Sequence, residues 1–259
     1  MRRSPLHLLA VLLCSSLLAA IATTAPAAVR AVDPLYQRAL AGADRSAKDH
    51  ERDLRDKPAE VLAFAGFKPG MRVADLFAGG GYYSEILAGI VGPKGHVLLV
   101  NNPPYARYAA EDLAARFKDD RLPSIERRVA PSEDLKLGQA TLDGALMVMS
   151  YHDLYFEDKD QFPRIDAGQF LDQIHAALKP HGRLLIVDHS ALAGTGSAPA
   201  GTLHRIDEAY AIKDLQAHGF RLVRKYEGLR NAADDRSKGV FDPAIRGKTD
   251  RFAHLYEKR

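Results

Sequence analysis

Two groups of residues in this 259-residue chain have the types and spacing to do chemistry. The first is Val73-Ala74-Asp75-Leu76-Phe77-Ala78-Gly79-Gly80-Gly81-Tyr82-Tyr83-Ser84, an apolar run that ends in an acid and is followed by consecutive glycines. Glycine lets a chain turn sharply and lets a ligand come close to the backbone. A strand that passes through such a turn into a helix makes a crevice at its carboxyl end, where open α/β sheets bind ligands. The second group is Tyr151-His152-Asp153-Leu154-Tyr155, at the end of another apolar run. His152 is the candidate general base, because an unperturbed imidazole titrates near neutrality. Asp153 would orient that ring or bind a substrate, and Tyr151 adds a second polar aromatic group. His189, at the end of a further apolar run, is an alternative partner for His152. Ordinary hydrogen bonding at strand ends is the competing reading of these groups, and it is favoured for His189 and His204.

Several chemistries are excluded or unsupported. A dinucleotide loop of the form G-x-G-x-x-G, counted from Gly79, would need a third glycine where Ser84 stands. No Gly-Lys-Ser/Thr follows the loop, so phosphate cradling by a P-loop is unsupported. Cys14 is the only cysteine, which leaves residues 28–259 without a disulfide, a thiolate metal site or a cysteine nucleophile. No short metal-ligand spacing occurs, so no metal is expected, although His152, Asp153 and His189 would share one sheet edge.

The elements that must position these groups alternate along the chain. Short apolar strands are predicted at 71–77, 96–100, 124–129, 142–150 and 183–188. Helical patterns at 58–65, around Ile86 to Ile90, at 105–117 and at 169–178 flank or separate them. This alternation, with strands apolar on both faces, specifies an α/β fold with a mostly parallel sheet and helices on both sides. A helix at 208–218 and strands at 221–226 and 251–256 close the chain. Residues 28–57 read as an N-terminal helical extension, and 58–259 as one domain. The segment 228–250 joins the last two strands on the ligand side of the sheet. It is either a solvated loop or a lid over an anionic or amphiphilic molecule, as its length suggests.

The motif around Asp75 resembles the first motif of class I S-adenosylmethionine (SAM) methyltransferases, written D-x-G-x-G-x-G. Asp75, Gly79 and Gly81 match it, Gly80 lies between them, and Phe77 stands at the first glycine. The resemblance implies a Rossmann-like sheet with an antiparallel last strand, SAM as cofactor, and Asp75, Gly79, Gly80 and Gly81 around it. It also implies that Asn101, in the place of the usual ribose-binding acid, meets the ribose, and that Ser132 and Glu133 read the adenine. The turn Leu178-Lys179-Pro180-His181-Gly182 resembles the family's L-K-P-G-G element. More narrowly, the chain resembles a group of exported bacterial proteins predicted to be methyltransferases. It does so through its export signal, Gly79-Gly80-Gly81-Tyr82-Tyr83, Tyr151-His152-Asp153 and the run from Phe241 to Lys248.

Arg2 and Arg3, an apolar stretch from Leu6 to Ala22, and Ala25-Pro26-Ala27 form the pattern of a cleaved export signal over residues 1–27. The product would be periplasmic or secreted, without a membrane span. The formal net charge is +3, and Arg2 and Arg3 supply two of those charges, leaving +1 beyond the signal. So small a charge offers no electrostatic footprint for nucleic acid. The expected partner is a small molecule or an envelope component that receives a methyl group. A non-catalytic binding protein on the same scaffold is the alternative, and a nicotinamide oxidoreductase is a third reading.

Overall fold

The computed structural model describes residues 32–42 and 44–259. The expected export signal, residues 1–27, lies outside the described residues. Three helices come first: α1 (Pro34–Leu40), α2 (Ala47–Asp56) and α3 (Pro58–Ala65). Then follow β1 (Arg72–Leu76), α4 (Tyr82–Val91), β2 (His96–Asn101), α5 (Pro103–Tyr108), α6 (Ala110–Arg116) and β3 (Ile125–Val129). β4 (Leu142–Val148), α7 (Ala167–Ala177), β5 (Leu178–His189), α8 (Ala200–Leu203), α9 (Glu208–Ala217), β6 (Phe220–Tyr226) and β7 (Arg251–Lys258) complete the chain.

The strands form one sheet in the order β3-β2-β1-β4-β5-β7-β6. Strands β1 to β5 pair in parallel, whereas β7 runs antiparallel between β5 and β6. The order reverses between β1 and β4, which is the switch point where such sheets open a crevice. Strand residues alternate between two cores. Leu98, Val100, Met147, Leu184 and Ile186 pack beneath α7 and α9 on one face. Val97, Leu99, Leu146, Leu185 and Val187 meet α1, α3 and α4 on the other. A strand that is apolar at every position therefore satisfies both faces, since successive side chains point to opposite sides.

Capping fixes where the helices begin. Pro34, Pro58 and Pro103 open α1, α3 and α5, where a missing N–H costs nothing. Asp33, Ser46, Asn102, Asp166 and Asp207 each accept a backbone N–H of the first turn that would otherwise be unsatisfied. The single helix expected at 105–117 is instead two, with a break at Ala109. The reason is packing: Tyr105 joins the core on one face of the sheet, and Leu113 and Phe117 join the other. One straight helix cannot serve both.

Helix α2 is held by charge rather than by apolar burial. Its Leu54 faces solvent, while Asp49 and Asp56 are buried. Asp49 pairs with Arg116 at 2.8 Å and Asp56 with Arg251 at 2.7 Å. These pairs bind the extension to the domain beside the glycine loop.

Candidate active site

A cleft of about 1270 Å³ opens at the carboxyl ends of β1 and β4. Its floor is the loop Ala78-Gly79-Gly80, its inner wall is His152, Asp153 and His189, and α2 borders one side with Arg52 and Asp56. Val240, Phe241, Arg246 and Thr249 of the segment between β6 and β7 also line it. That segment is pinned by the buried pair of Arg205 with Asp234, 2.9 Å apart. The described part of the chain has no helix long and apolar enough to cross a membrane.

The glycine loop has an open face and a packed face. Gly79 takes a left-handed φ of 55°, and a Cβ built there meets no atom within 4 Å, so the backbone is presented to the cleft. Gly81 also has positive φ (79°), but a Cβ there would lie 2.9 Å from Leu99. It serves the turn into α4 and lies outside the cleft lining. Gly80 lines the cleft beside Asp112. Phe77, in the place of the motif's first glycine, carries a φ of 51°. A left-handed backbone costs a residue with a side chain roughly 1–2 kcal/mol. Phe77 is held there by its ring, which stacks on Tyr105 at 4.7 Å and leans on Phe170 at 4.9 Å.

Four other residues expected at the cofactor lie away from the cleft in this conformation. Asp75 is buried and accepts the Ser84 hydroxyl at 2.7 Å. Burial raises its pKa to about 6, against the lowering effect of that hydrogen bond. Asn101 gives both ends of its amide to Gly79: Nδ2 donates to the carbonyl and Oδ1 accepts the N–H, each at 2.9 Å. Ser132 accepts a hydrogen bond from Asn102 at 3.3 Å. Glu133 is exposed, and only its backbone carbonyl is engaged, by Gln169. None of Asp75, Asn101, Ser132 and Glu133 lines the cleft.

The second group is partly brought together. Tyr151 turns into the core, fully buried, and donates to Asp214. His152 and Asp153 face the cleft from a 3-10 turn, His152–Tyr155. His152 Nδ1 lies 2.8 Å from Asp188 Oδ1, and Asp188 Oδ2 accepts the His152 backbone N–H at 2.7 Å. His152 Nε2 lies 3.3 Å from Asp153 Oδ1, and His204 Nδ1 lies 3.7 Å from that same oxygen. Tyr105 donates its hydroxyl to the other Asp153 oxygen. Burial disfavours a charged imidazole, but the Asp188 and Asp153 carboxylates outweigh it and raise His152 to about 9. His152 is therefore protonated at neutral pH, the opposite of what a resting general base needs. Burial would raise Asp153, yet charged His152 and hydrogen bonds from His204 and Tyr105 hold it below the usual carboxylate range. His189 is pushed well down by burial and by its neighbour His152, so it is neutral, and its Nδ1 pairs with Thr249 Oγ1 at 2.8 Å.

Asp188 and Tyr105 were not anticipated as site residues. A signal for Asp188 exists: an acid closing the apolar run Leu184-Leu185-Ile186-Val187 must find a partner, because an unpaired buried carboxylate is costly.

No protein-family model and no curated protein matches the sequence. Solved structures do resemble the fold. A SAM-dependent methyltransferase from Aquifex aeolicus superposes with a TM-score of 0.56 at 22% identity, over 78% of this chain and 89% of that one. CrArsM, an arsenic(III) SAM methyltransferase from Chlamydomonas reinhardtii, gives 0.51 at 17% identity, over 87% and 73%. The [4+2]-cyclase SpnF gives 0.54 at 15% identity, over 88% and 92%. The fold is thus the Rossmann-like class I methyltransferase sheet. A cyclase among its neighbours illustrates that one sheet hosts more than one reaction.

Proposed function

We propose that the chain is an exported, SAM-dependent methyltransferase that acts on a small amphiphilic molecule of the cell envelope. One observation carries the reading: the open backbone of Gly79 and the His152–Asp153 pair share a single cleft at the ends of β1 and β4. The cleft exceeds the size that one drug-sized ligand needs, leaving room for cofactor and acceptor together.

The residues present suit the methionine half of SAM. The open face of Gly79 admits a ligand against the backbone, and Lys48, Arg52 and Asp112 offer both signs of charge to a zwitterion. Tyr105 and Tyr108 supply aromatic surface for a nucleobase in the same cleft. When bound, SAM supplies an electrophilic methyl group. The protein's part is to place the acceptor about 3 Å from it, in line with the bond that breaks. Asp153, ionised beside protonated His152, is the group to accept a hydrogen bond from the acceptor and then its proton. His152, fixed by Asp188, positions Asp153 and keeps it ionised. Exposed Phe241 and Arg246 at the rim suit an amphiphile with an anionic group.

A non-catalytic binding protein on this scaffold is the second reading. It is favoured by Asn101, whose amide engages Gly79 through both its ends, and by Phe77 at the first glycine of the motif. Transfer of labelled methyl from SAM into an envelope extract separates the two. The methyltransferase reading expects incorporation by the wild type that falls at least tenfold in Asp153→Ala. Saturable SAM binding without incorporation would support the second reading instead.

A further inference from the structure

We infer that His152, Asp153 and His204 form a binding site for one divalent transition-metal ion. One ligand atom from each lies within 4.8 Å of the others. Asp153 Oδ1 is 3.3 Å from His152 Nε2 and 3.7 Å from His204 Nδ1. Ligand atoms that sit about 2.0–2.1 Å from a tetrahedral zinc ion are spaced about 3.3 Å apart. The two separations from Asp153 Oδ1 are thus close to an edge of such a tetrahedron, and with all three donors within 4.8 Å of one another they can close on an ion by side-chain movement.

The surroundings are those of a built site. His152, only 3% exposed, is held at Nδ1 by Asp188, which turns Nε2 toward the cleft. A carboxylate on the far nitrogen of a ligating imidazole is the usual outer partner that fixes its tautomer and direction. Tyr105 does the same for Asp153 by donating to the oxygen that does not face the histidines. His204 takes a left-handed backbone (φ 51°) at the end of α8, and its ring is held between Phe156 at 4.8 Å and Phe241 at 4.9 Å. Two imidazoles and one carboxylate, without a thiolate, suit zinc, cobalt, nickel or iron. With three protein ligands at the wall of an open cleft, a coordination position is left for water or substrate, the arrangement of a reactive rather than a structural site.

The ion takes the place of the proton that His152 Nε2 carries in the metal-free protein; the site stands whether or not SAM is the cofactor, and metal alone is the probe. The purified chain, free of any histidine tag and treated with a chelator, is titrated with Zn²⁺ by calorimetry and with Co²⁺ by visible absorption. The expected result is one equivalent bound per chain, with the d–d bands of low-coordinate cobalt. His204→Ala and Asp153→Asn should each weaken Zn²⁺ at least a hundredfold. Asp188→Asn, which loses only the outer partner, should weaken it about 10–100-fold. His218→Ala, whose ring pairs with Asp172 on the surface, should change nothing. Circular dichroism would establish that each variant is folded, and His204, whose side chain is 24% exposed, is the ligand variant least able to disturb the core. Absence of a one-equivalent site in the wild type would overturn the proposal. So would a site equally tight in folded His204→Ala and Asp153→Asn, because the ion would then bind elsewhere. A failed SAM titration would leave the metal result untouched, so the two readings fail separately.

Discussion

Asn101 closes on Gly79 like one peptide group on another, its Nδ2 donating to the Gly79 carbonyl and its Oδ1 accepting the Gly79 N–H, both at 2.9 Å. An amide has one donor end and one acceptor end, and so has a backbone residue. A carboxylate cannot make this pair, because both of its oxygens are acceptors. Asn101→Asp, which restores the acid typical of SAM sites, should therefore destabilise the free protein by about 1–3 kcal/mol. Urea denaturation reads this directly, and a variant as stable as the wild type would show that the pair contributes little.

Asp75 gives a pH signature. Its native pKa of about 6 exceeds the unfolded value of about 3.9. Between those values the native state keeps a proton that the unfolded chain has released. Stability from this group therefore falls as pH rises from about 4 to about 6, then levels off, by roughly 3 kcal/mol in total. Asp75→Asn should lack this decline, so the variant gains on the wild type across that interval. Parallel stability profiles for the two proteins would rule out a protonated Asp75.

The segment between β6 and β7 depends on Arg205. This side chain is fully buried, pairs with Asp234, and donates to the carbonyls of Ser190 and Lys238 at 2.9 Å. Arg205→Met would leave Asp234 buried without its partner, at a cost of about 3–5 kcal/mol. Adding Asp234→Asn should recover part of that loss by removing the stranded charge. Limited proteolysis should cut first within residues 232–247 in Arg205→Met. Unchanged stability and an unchanged cleavage pattern would mean that the segment is held by other contacts.

Much of the architecture was legible because each strand's apolar pattern reports burial on both faces. The runs around Val73, Val97, Leu146 and Leu185 became β1, β2, β4 and β5, and the antiparallel closing strand followed from the family resemblance. The break at Ala109 was not legible, since Tyr105 and Leu113 share a helical pattern and only the packed sheet sends them to opposite cores. Residues 190–207 are rich in small residues with no period, and α8, which carries His204 at its end, went unforeseen. Adjacent His152 and Asp153 stood out as neighbours in sequence. Their partners Asp188, Tyr105 and His204 come from three other elements, so chain folding alone assembles the set. At Asn101 the family resemblance points to a residue that meets a ligand, whereas its amide chemistry suits the peptide beside it.

On this reading SAM lies against the open face of the glycine loop. Calorimetric titration of SAM and S-adenosylhomocysteine into the wild type and Gly79→Val tests it most directly. Valine at a φ of 55° costs some backbone strain, but its side chain points into open cleft, so the variant should fold with that space filled. Saturable binding of both nucleosides by the wild type, lost in folded Gly79→Val, is the expected result. No binding by a folded wild type, or equal binding by both proteins, would contradict it.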